Sequence, residues 1–147
     1  MITDEYFDQL SEQIRLSYAH LLKMHLRFWN RFHHFKNEIK DVNLKKDFFP
    51  QELFFYDESG IINWKNVLPL LPPGIEKKIK NEYNMLNQTE VRLCCLILLN
   101  VPGKDILKIL PFTHKSIHTV TYRIKQKLGM KNIQKGIKPL LVCATIE

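Results

Sequence analysis

The chain has 147 residues, of which 45% are hydrophobic and 25% charged, and its formal net charge is +7. This composition favours a folded protein over a disordered one, and the length suits one medium-sized domain or two small ones. The longest apolar stretch, residues 93–99, is far shorter than the roughly 20 residues that cross a bilayer, and the N-terminal residues lack the basic and apolar regions of a signal peptide. We therefore expect a soluble, cytoplasmic protein with no membrane partner.

Cysteine and histidine residues give no sign of a metal site. The three cysteines, two of them adjacent, cannot form a two-bridge scaffold and lack the Cys-x-x-Cys spacing, so we expect them to be reduced and mostly buried. His33 and His34 are adjacent, but neighbouring helical residues point about 100° apart and no matching ligand set accompanies them. No catalytic motif or glycine-rich phosphate loop is present. We expect no metal, no cofactor and no enzymatic activity.

Positive charge is concentrated in one part of the chain. Residues 1–85 contain twelve basic and twelve acidic residues, whereas residues 86–147 contain ten basic and three acidic ones. No acidic residue lies between Ile106 and Ile146, while eight basic residues do: Lys108, Lys115, Arg123, Lys125, Lys127, Lys131, Lys135 and Lys138. This asymmetry indicates a polyanionic partner, the alternative being an ordinary lysine-rich solvated surface.

The first 49 residues contain neither glycine nor proline and predict one long helix or two nearly continuous ones. Their apolar positions recur at helical spacing: Phe7, Leu10, Ile14, Tyr18, Leu21, Phe28, Phe32, Phe35, Ile39 and Val42. A packed helical hairpin fits better than a coiled-coil rod, because His25 interrupts the seam and aromatic residues suit a seam poorly. Since such a stripe must be buried on residues 50–85 or on a second copy, the pattern favours a homodimer through the N-terminal helices over a monomer.

Prolines and a glycine-containing turn divide the middle of the chain. Pro50, residues 57–60 and residues 68–74 act as breaks. Short helices are predicted between them, at residues 61–68 and 75–85. Four side chains of these helices are expected to point inward: Trp64, Val67, Ile79 and Tyr83.

A helix is predicted to begin after Asn87. Asn87 and Glu90 have the spacing of a capping box, in which the asparagine accepts from a helix amide and the glutamate accepts from the cap amide. The helix can end at Asn100, because asparagine tolerates the left-handed conformation found at many helix ends.

Two more helices are predicted to follow in close succession. One begins around Pro102 and Gly103 and continues to Leu110, before Pro111 stops it. Thr113 then provides a hydroxyl cap for a helix over residues 114–128, which Gly129 closes. Three helices in this order, with a tight turn before the third, are typical of a helix-turn-helix that reads DNA.

The third helix separates into two sides. Its inward stripe is Ile117, Val120, Ile124 and Leu128. Its outward side carries Lys115, His118, Thr119, Tyr122, Arg123 and Gln126. A helix fits the major groove, where such side chains can reach base edges and phosphates, although a solvated surface helix would show a similar pattern.

Residues 86–130, written LNQTEVRLCCLILLNVPGKDILKILPFTHKSIHTVTYRIKQKLGM, resemble the LuxR/GerE-type helix-turn-helix of bacterial transcription regulators without gaps. The family's Leu-Thr-x-x-Glu matches residues 86–90, and its Lys-Glu-Ile-Ala matches residues 104–107. Its Ser-x-Lys-Thr-Val matches residues 113–117, and its Arg-Ile-x-x-Lys-Leu-Gly matches residues 123–129.

This resemblance implies a role for each matching residue. The residues that would face bases are His118, Thr119 and Tyr122. The residues that would contact or neutralise the DNA backbone are Lys104, Lys115, Ser116, Arg123 and Lys127.

The chain also departs from the family pattern. Leu107 replaces a small alanine, which predicts a wider helix crossing; Asn100 replaces a glycine and Val120 a common histidine. The family's last, dimerising helix would fall near residues 131–143, where Gly136 and Pro139 are expected to break it. This break shifts the predicted dimer contact to the N-terminal helices.

Together these observations predict an all-α protein. Residues 1–85 form an N-terminal helical region, a long-helix hairpin with a dimerising or regulatory role, and residues 86–147 form a LuxR-type helix-turn-helix domain. The predicted function is that of a sequence-specific transcription regulator, whose helix at residues 114–128 enters the major groove of double-stranded DNA.

Other readings stay open at this point. A protein-interaction module could keep the fold without the DNA role, as an anti-regulator or as an adaptor that binds an RNA polymerase subunit. A promoter reader of the sigma-factor type would use a similar helix-turn-helix together with polymerase. RNA binding fits least, because no aromatic stacking motif is present.

Overall fold

The computed structural model describes residues 4–38 and 61–142. These residues are predominantly helical, and no β-strand lies within them, which confirms the predicted all-α class. None of the helices in the two described ranges is both long and apolar enough to cross a membrane.

Helix α1, Asp4–Glu38, runs unbroken through 35 residues, as the absence of glycine and proline predicts. Asp4 and Glu5 lie in its first turn, where carboxylates favour the positive end of the helix dipole. The rest of the predicted helical stretch, residues 39–49, lies outside the described residues.

The face by which α1 joins the core differs from the predicted stripe. Leu22, Leu26 and Trp29 are buried, whereas Leu21 and Phe28 are exposed. The apolar residues of α1 cover more than one side of the helix, and the core takes the side next to the predicted one. Helical spacing alone does not determine which of two neighbouring apolar sides is buried.

Two short helices and a 3₁₀ turn follow: α2, Trp64–Val67; the 3₁₀ turn Leu68–Leu70; and α3, Ile75–Glu82. The helices are shorter than predicted. Helix α2 begins later, after its cap residue Asn63, and α3 ends at Glu82, because Tyr83 leaves the helical conformation with φ −125° and ψ 69°. The four residues predicted to point inward do so: Trp64, Val67 and Ile79 are buried, and Tyr83 is half-buried.

Glu76 joins these helices to the next one. Its Oε2 accepts from Trp64 Nε1 at 3.4 Å, and its Oε1 accepts from Arg92 Nε at 3.5 Å. The Arg92 guanidinium also lies 5.1 Å from the centre of the Trp64 ring. One carboxylate thereby links α2, α3 and the helix that carries Arg92.

The remaining helices are α4, Gln88–Leu98; α5, Gly103–Ile106; α6, His114–Leu128; and α7, Ile133–Ile137. Helix α4 lies in the centre of the fold, with α3 and α7 packed on it. The capping box of Asn87 and Glu90 is present, and Asn100 adopts the predicted left-handed conformation with φ 58°. Cys94 and Cys95 are buried and free, as predicted, while Cys143 lies outside the described residues.

A single cluster of buried side chains runs through the described residues. It includes Trp29 of α1, Leu96 of α4, Ile124 of α6 and Ile137 of α7. The predicted division of the chain at residues 85 and 86 stays a prediction, but the core itself is continuous across that point. The long helix therefore contributes to the same core as the helices that carry the candidate site.

Two lysines also hold α1 on the C-terminal part of the chain through polar contacts. Lys138 Nζ lies 3.2 Å from Asp8 Oδ1 and 3.3 Å from Glu12 Oε2. Lys108 Nζ donates to Asn30 Oδ1 at 3.1 Å. These contacts fix α1 near both of its ends.

Candidate nucleic-acid interface

Helix α6 has the predicted bounds because both of its ends are capped. At the N-terminus, the Thr113 amide donates to Ser116 Oγ at 2.8 Å and the Ser116 amide donates to Thr113 Oγ1 at 3.1 Å. At the C-terminus, Gly129 adopts φ 63°, the left-handed conformation in which glycine has no steric penalty. The predicted helix over residues 114–128 is confirmed.

The predicted division of α6 into two sides is also confirmed. Ile124 is fully buried, and the other three members of the inward stripe are half-buried against the core. All six outward residues are exposed: Lys115, His118, Thr119, Tyr122, Arg123 and Gln126. Helix α6 thus presents a complete polar and basic side to solvent.

The three residues predicted to face bases lie on this exposed side. His118 and Tyr122 are one turn apart and Thr119 lies between them, so their side chains share one surface. Tyr122 is 63% exposed, and its hydroxyl accepts from Gln126 Nε2 at 2.7 Å, which leaves the phenolic hydrogen free to donate. Thr119 Oγ1 donates to the Lys115 carbonyl at 3.3 Å and keeps acceptor capacity.

The residues predicted to contact the DNA backbone divide into two groups. Lys104, Lys115 and Arg123 are exposed, and none of them forms an ion pair within the described residues. Ser116 and Lys127 instead have partners inside the protein. The Ser116 hydroxyl completes the N-terminal cap of α6, and Lys127 Nζ donates to Glu90 Oε1 and Oε2 at 2.9 and 3.0 Å.

Sequence reasoning recognised Glu90 as a capping residue but missed its ion pair. Its side chain is 2% exposed, and Oε1 also accepts from the Asn87 amide at 2.9 Å. Burial raises the pKa of this carboxyl, but the hydrogen bonds from Lys127 and Asn87 outweigh burial and lower the pKa below its usual value. Glu90 is therefore an anion that ties α6 to the start of α4. Patterns among neighbouring residues do not reveal this ion pair, because Glu90 and Lys127 are 37 positions apart in the sequence.

Asp105, the second acidic residue of residues 86–142, is also largely shielded from solvent. The Asp105 side chain is 16% exposed and lies 3.6 Å from Lys108 Nζ. Residues 86–142 contain only these two carboxylates, Glu90 and Asp105. Because both are shielded and paired with lysines, the exposed charges of this region are positive.

The helix before α6 is shorter than predicted. Helix α5 ends at Ile106 instead of continuing to Leu110, and the amides of Lys108 and Ile109 form tighter turns with Asp105 and Ile106. The Lys108 carbonyl accepts from the Ile62 amide instead of continuing a helix. The backbone hydrogen bond from Ile62 thus competes with a longer α5, and the predicted helix becomes a single helical turn followed by these tighter turns.

Gly136 does not break the last helix, contrary to the prediction. It lies inside α7, where a Cβ atom at this position would meet the Met130 thioether. The predicted break at Pro139 is present, because α7 ends at Ile137 and residues 138–139 form a turn. Both Ile133 and Ile137 are buried in the core of their own chain. The apolar side of α7 is thereby occupied within the protein.

Within residues 4–38 and 61–142, no group of three histidine, cysteine, aspartate or glutamate side chains could hold a metal ion.

Comparison of the chain with protein-family models, with curated proteins and with solved structures found no match.

Proposed function

We propose that this protein is a sequence-specific DNA-binding transcription regulator whose helix α6 enters the major groove. The observation that supports the proposal best is the electrostatic surface around α6. Every outward residue of the helix is exposed, and the two carboxylates of the region are withdrawn from the surface. A polyanion would meet positive charge and hydrogen-bonding groups without repulsion.

The proposal gives a role to six residues of α6 and to Lys104 of α5. His118, Thr119 and Tyr122 face base edges, and Lys115 and Arg123 neutralise phosphates on either side of the groove. Lys104 and Ser116 approach the backbone beside the N-terminus of α6. The resemblance of residues 86–130 to the LuxR/GerE-type helix-turn-helix supports the same orientation.

The proposal includes a cytoplasmic homodimer that contacts DNA through two copies of α6. Dimeric readers of this kind bind two half-sites related by the symmetry of the protein. RNA polymerase is a further candidate partner, because transcription regulators act on promoters.

Selection from random-sequence duplex DNA at several salt concentrations tests the proposal. We expect retained DNA to be enriched in one site, preferably palindromic, and the affinity to fall steeply with salt as condensed counterions are released. Lys115→Ala and Arg123→Ala should each weaken binding to all sequences and reduce the salt slope by about 0.9 per lost phosphate contact. Lys77→Ala, which removes an exposed lysine of α3, is the control and should change neither quantity. Absence of binding at low salt would contradict the proposal.

A protein-interaction module is the second candidate, and one observation favours it. Helix α1 exposes large apolar side chains that a partner could cover, among them Leu16, Leu21 and Met24. A purified protein that binds no DNA but binds a transcription protein through α1 would support this alternative.

A further inference from the structure

A cavity of about 360 Å³ lies between α1 and residues 99–105, which connect α4 to α5 and begin α5. The described residues that line it belong to two short stretches of the chain, residues 15–26 and residues 99–105. Its volume is at the small end of the range of ligand pockets, roughly 300–1,000 Å³. The cavity is therefore large enough for a small organic molecule.

Apolar side chains form much of the cavity wall: Leu16, Ala19, Leu26, Leu99, Val101 and Pro102. Leu26 and Leu99 belong to the buried core, so the floor of the cavity is part of the core itself. A hydrocarbon group placed there would be removed from water together with the wall that it covers. The wall thus suits the apolar part of a ligand.

Arg15 supplies hydrogen-bond donors to the same cavity. Its side chain is only 11% exposed, and it pairs with Glu12, whose Oε2 accepts from Nε at 3.1 Å and whose Oε1 accepts from Nη2. The N–H groups of Nη1 have no acceptor among the residues that the structure describes. Because a buried donor without an acceptor is unfavourable, an acceptor group in the cavity would be stabilised by Arg15.

The charges of the wall favour an anion. Its basic and acidic residues are Arg15, His20, Lys23 and Asp105. Arg15 is balanced by Glu12, and Asp105 lies 3.6 Å from Lys108 Nζ. Lys23 is exposed and forms no ion pair within residues 4–38 and 61–142. The wall therefore keeps one positive charge that no described carboxylate compensates, which suits a ligand with a single negative charge.

We propose that this cavity binds a small amphipathic carboxylate. The carboxylate accepts from Nη1 of Arg15, because a guanidinium has the geometry that carboxylate oxygens match, and Lys23 balances its charge. The hydrocarbon part packs on Leu99 and Val101. Such a ligand would contact both α1 and the residues that lead into α5. This inference does not depend on DNA binding.

Isothermal titration calorimetry of the full chain with octanoate, in the absence of DNA, tests the class of ligand. Octan-1-ol and octylammonium carry the same hydrocarbon chain with no charge and with the opposite charge. We expect one octanoate to bind saturably per chain, and the two other compounds to bind about tenfold more weakly or less. No binding of octanoate at millimolar concentration would overturn the proposal, and so would equal binding of all three compounds.

A pair of cavity-filling substitutions tests the location. Ala19 is half-buried and lines the cavity, whereas Ser17 is exposed on the same helix and does not line it. We expect Ala19→Phe to weaken octanoate binding by about tenfold or more, because the ring occupies the space of the ligand, and Ser17→Phe to bind as the wild type does. Helical circular dichroism checks that both variants fold. Equal octanoate affinity of the two variants would place the ligand elsewhere and overturn the site.

A second pair tests the charge and does not depend on the stability of Ala19→Phe. Lys23 lines the cavity and Lys77 lies on α3, and both lysines are exposed. Lys23→Gln should weaken octanoate binding by about two- to fivefold, the range of a solvent-exposed ion pair, and Lys77→Gln should leave it unchanged. Equal octanoate affinity of these two variants would overturn the role of Lys23.

Discussion

Lys127, in the last turn of α6, donates from its ammonium to both carboxylate oxygens of Glu90, at 2.9 and 3.0 Å. The same carboxylate accepts from the Asn87 amide and caps α4. One buried anion therefore fixes the relative position of the helix that carries the candidate DNA face and of the helix at the centre of the core.

Loss of Lys127 should destabilise the fold. In Lys127→Ala the buried Glu90 carboxylate keeps its amide donor but loses its ion-pair partner. We expect the free energy of unfolding to fall by about 1–3 kcal/mol, below the full cost of an unpaired buried charge, because Lys127 is itself partly exposed. Denaturant unfolding measures this change. Lys131→Ala, an exposed control, should change stability by less than about 0.5 kcal/mol; equal effects would contradict the prediction.

Glu12 should make stability depend on acid pH. The hydrogen bond from Arg15, aided by Lys138 and opposed by burial, lowers the pKa of Glu12 from 4.5 to about 2. A carboxyl whose pKa is lowered by folding stabilises the folded state above its unfolded pKa, and this contribution is lost as the pH falls through the folded pKa. Wild type should therefore lose a stabilising contribution between pH 4.5 and about 2.

Glu12→Gln isolates this contribution. The variant should be less stable than the wild type at neutral pH, and the difference should shrink as the pH is lowered through the same window. Thermal unfolding at a series of pH values measures it. A difference that stays constant with pH would show that Glu12 contributes by packing and not by charge.

Local signals in the sequence predict the start of α4 and both ends of α6. The caps at Asn87, Thr113 and Gly129 each depend on residues within four positions, and all three are present. Local sequence patterns do not predict contacts between distant parts of the chain. The Glu90 and Lys127 pair and the backbone bond from Ile62 that limits α5 are both set by packing.

Helix α1 illustrates the same limit on a larger scale. Its length followed from composition, because no residue interrupts it. Its buried side did not, since two apolar sides compete and the core, which only the complete fold defines, takes the one with Leu22 and Trp29. The exposed side of α6 was predictable because its polar and apolar residues separate without overlap.

Asn100 should tolerate glycine but not a branched residue. Its φ of 58° is left-handed, a conformation that asparagine and glycine adopt at lower cost than other residues. We expect Asn100→Val to lower the free energy of unfolding by about 1–2 kcal/mol and Asn100→Gly to leave it unchanged or slightly higher. Denaturant unfolding of both variants measures the difference. Equal stability of the two variants would mean that the turn relaxes to another conformation.

Cys94 and Cys95 should be inert in the native protein. Burial raises the pKa of Cys94 to about 12 and raises the pKa of Cys95 as well, so neither thiol forms the reactive thiolate at neutral pH. In a Cys143→Ser variant we expect no fast reaction with Ellman's reagent until the protein is unfolded, when both thiols should react. Fast reaction of the native variant would show that α4 opens to solvent.

Tyr122 should affect which sequence is bound more than how strongly DNA is held. Its hydroxyl is exposed on α6 and already accepts from Gln126, so its free hydrogen can donate to a base acceptor in the major groove. Tyr122→Phe removes this donor and keeps the ring. Because the change removes no positive charge, the salt dependence of binding should stay as in the wild type, while discrimination at one base position falls by about 1–3 kcal/mol. Competition binding with single-base variants of the selected site measures both quantities. A uniform loss of affinity with unchanged preference would place Tyr122 on the backbone, and the base-reading side of α6 would then be the part nearer His118.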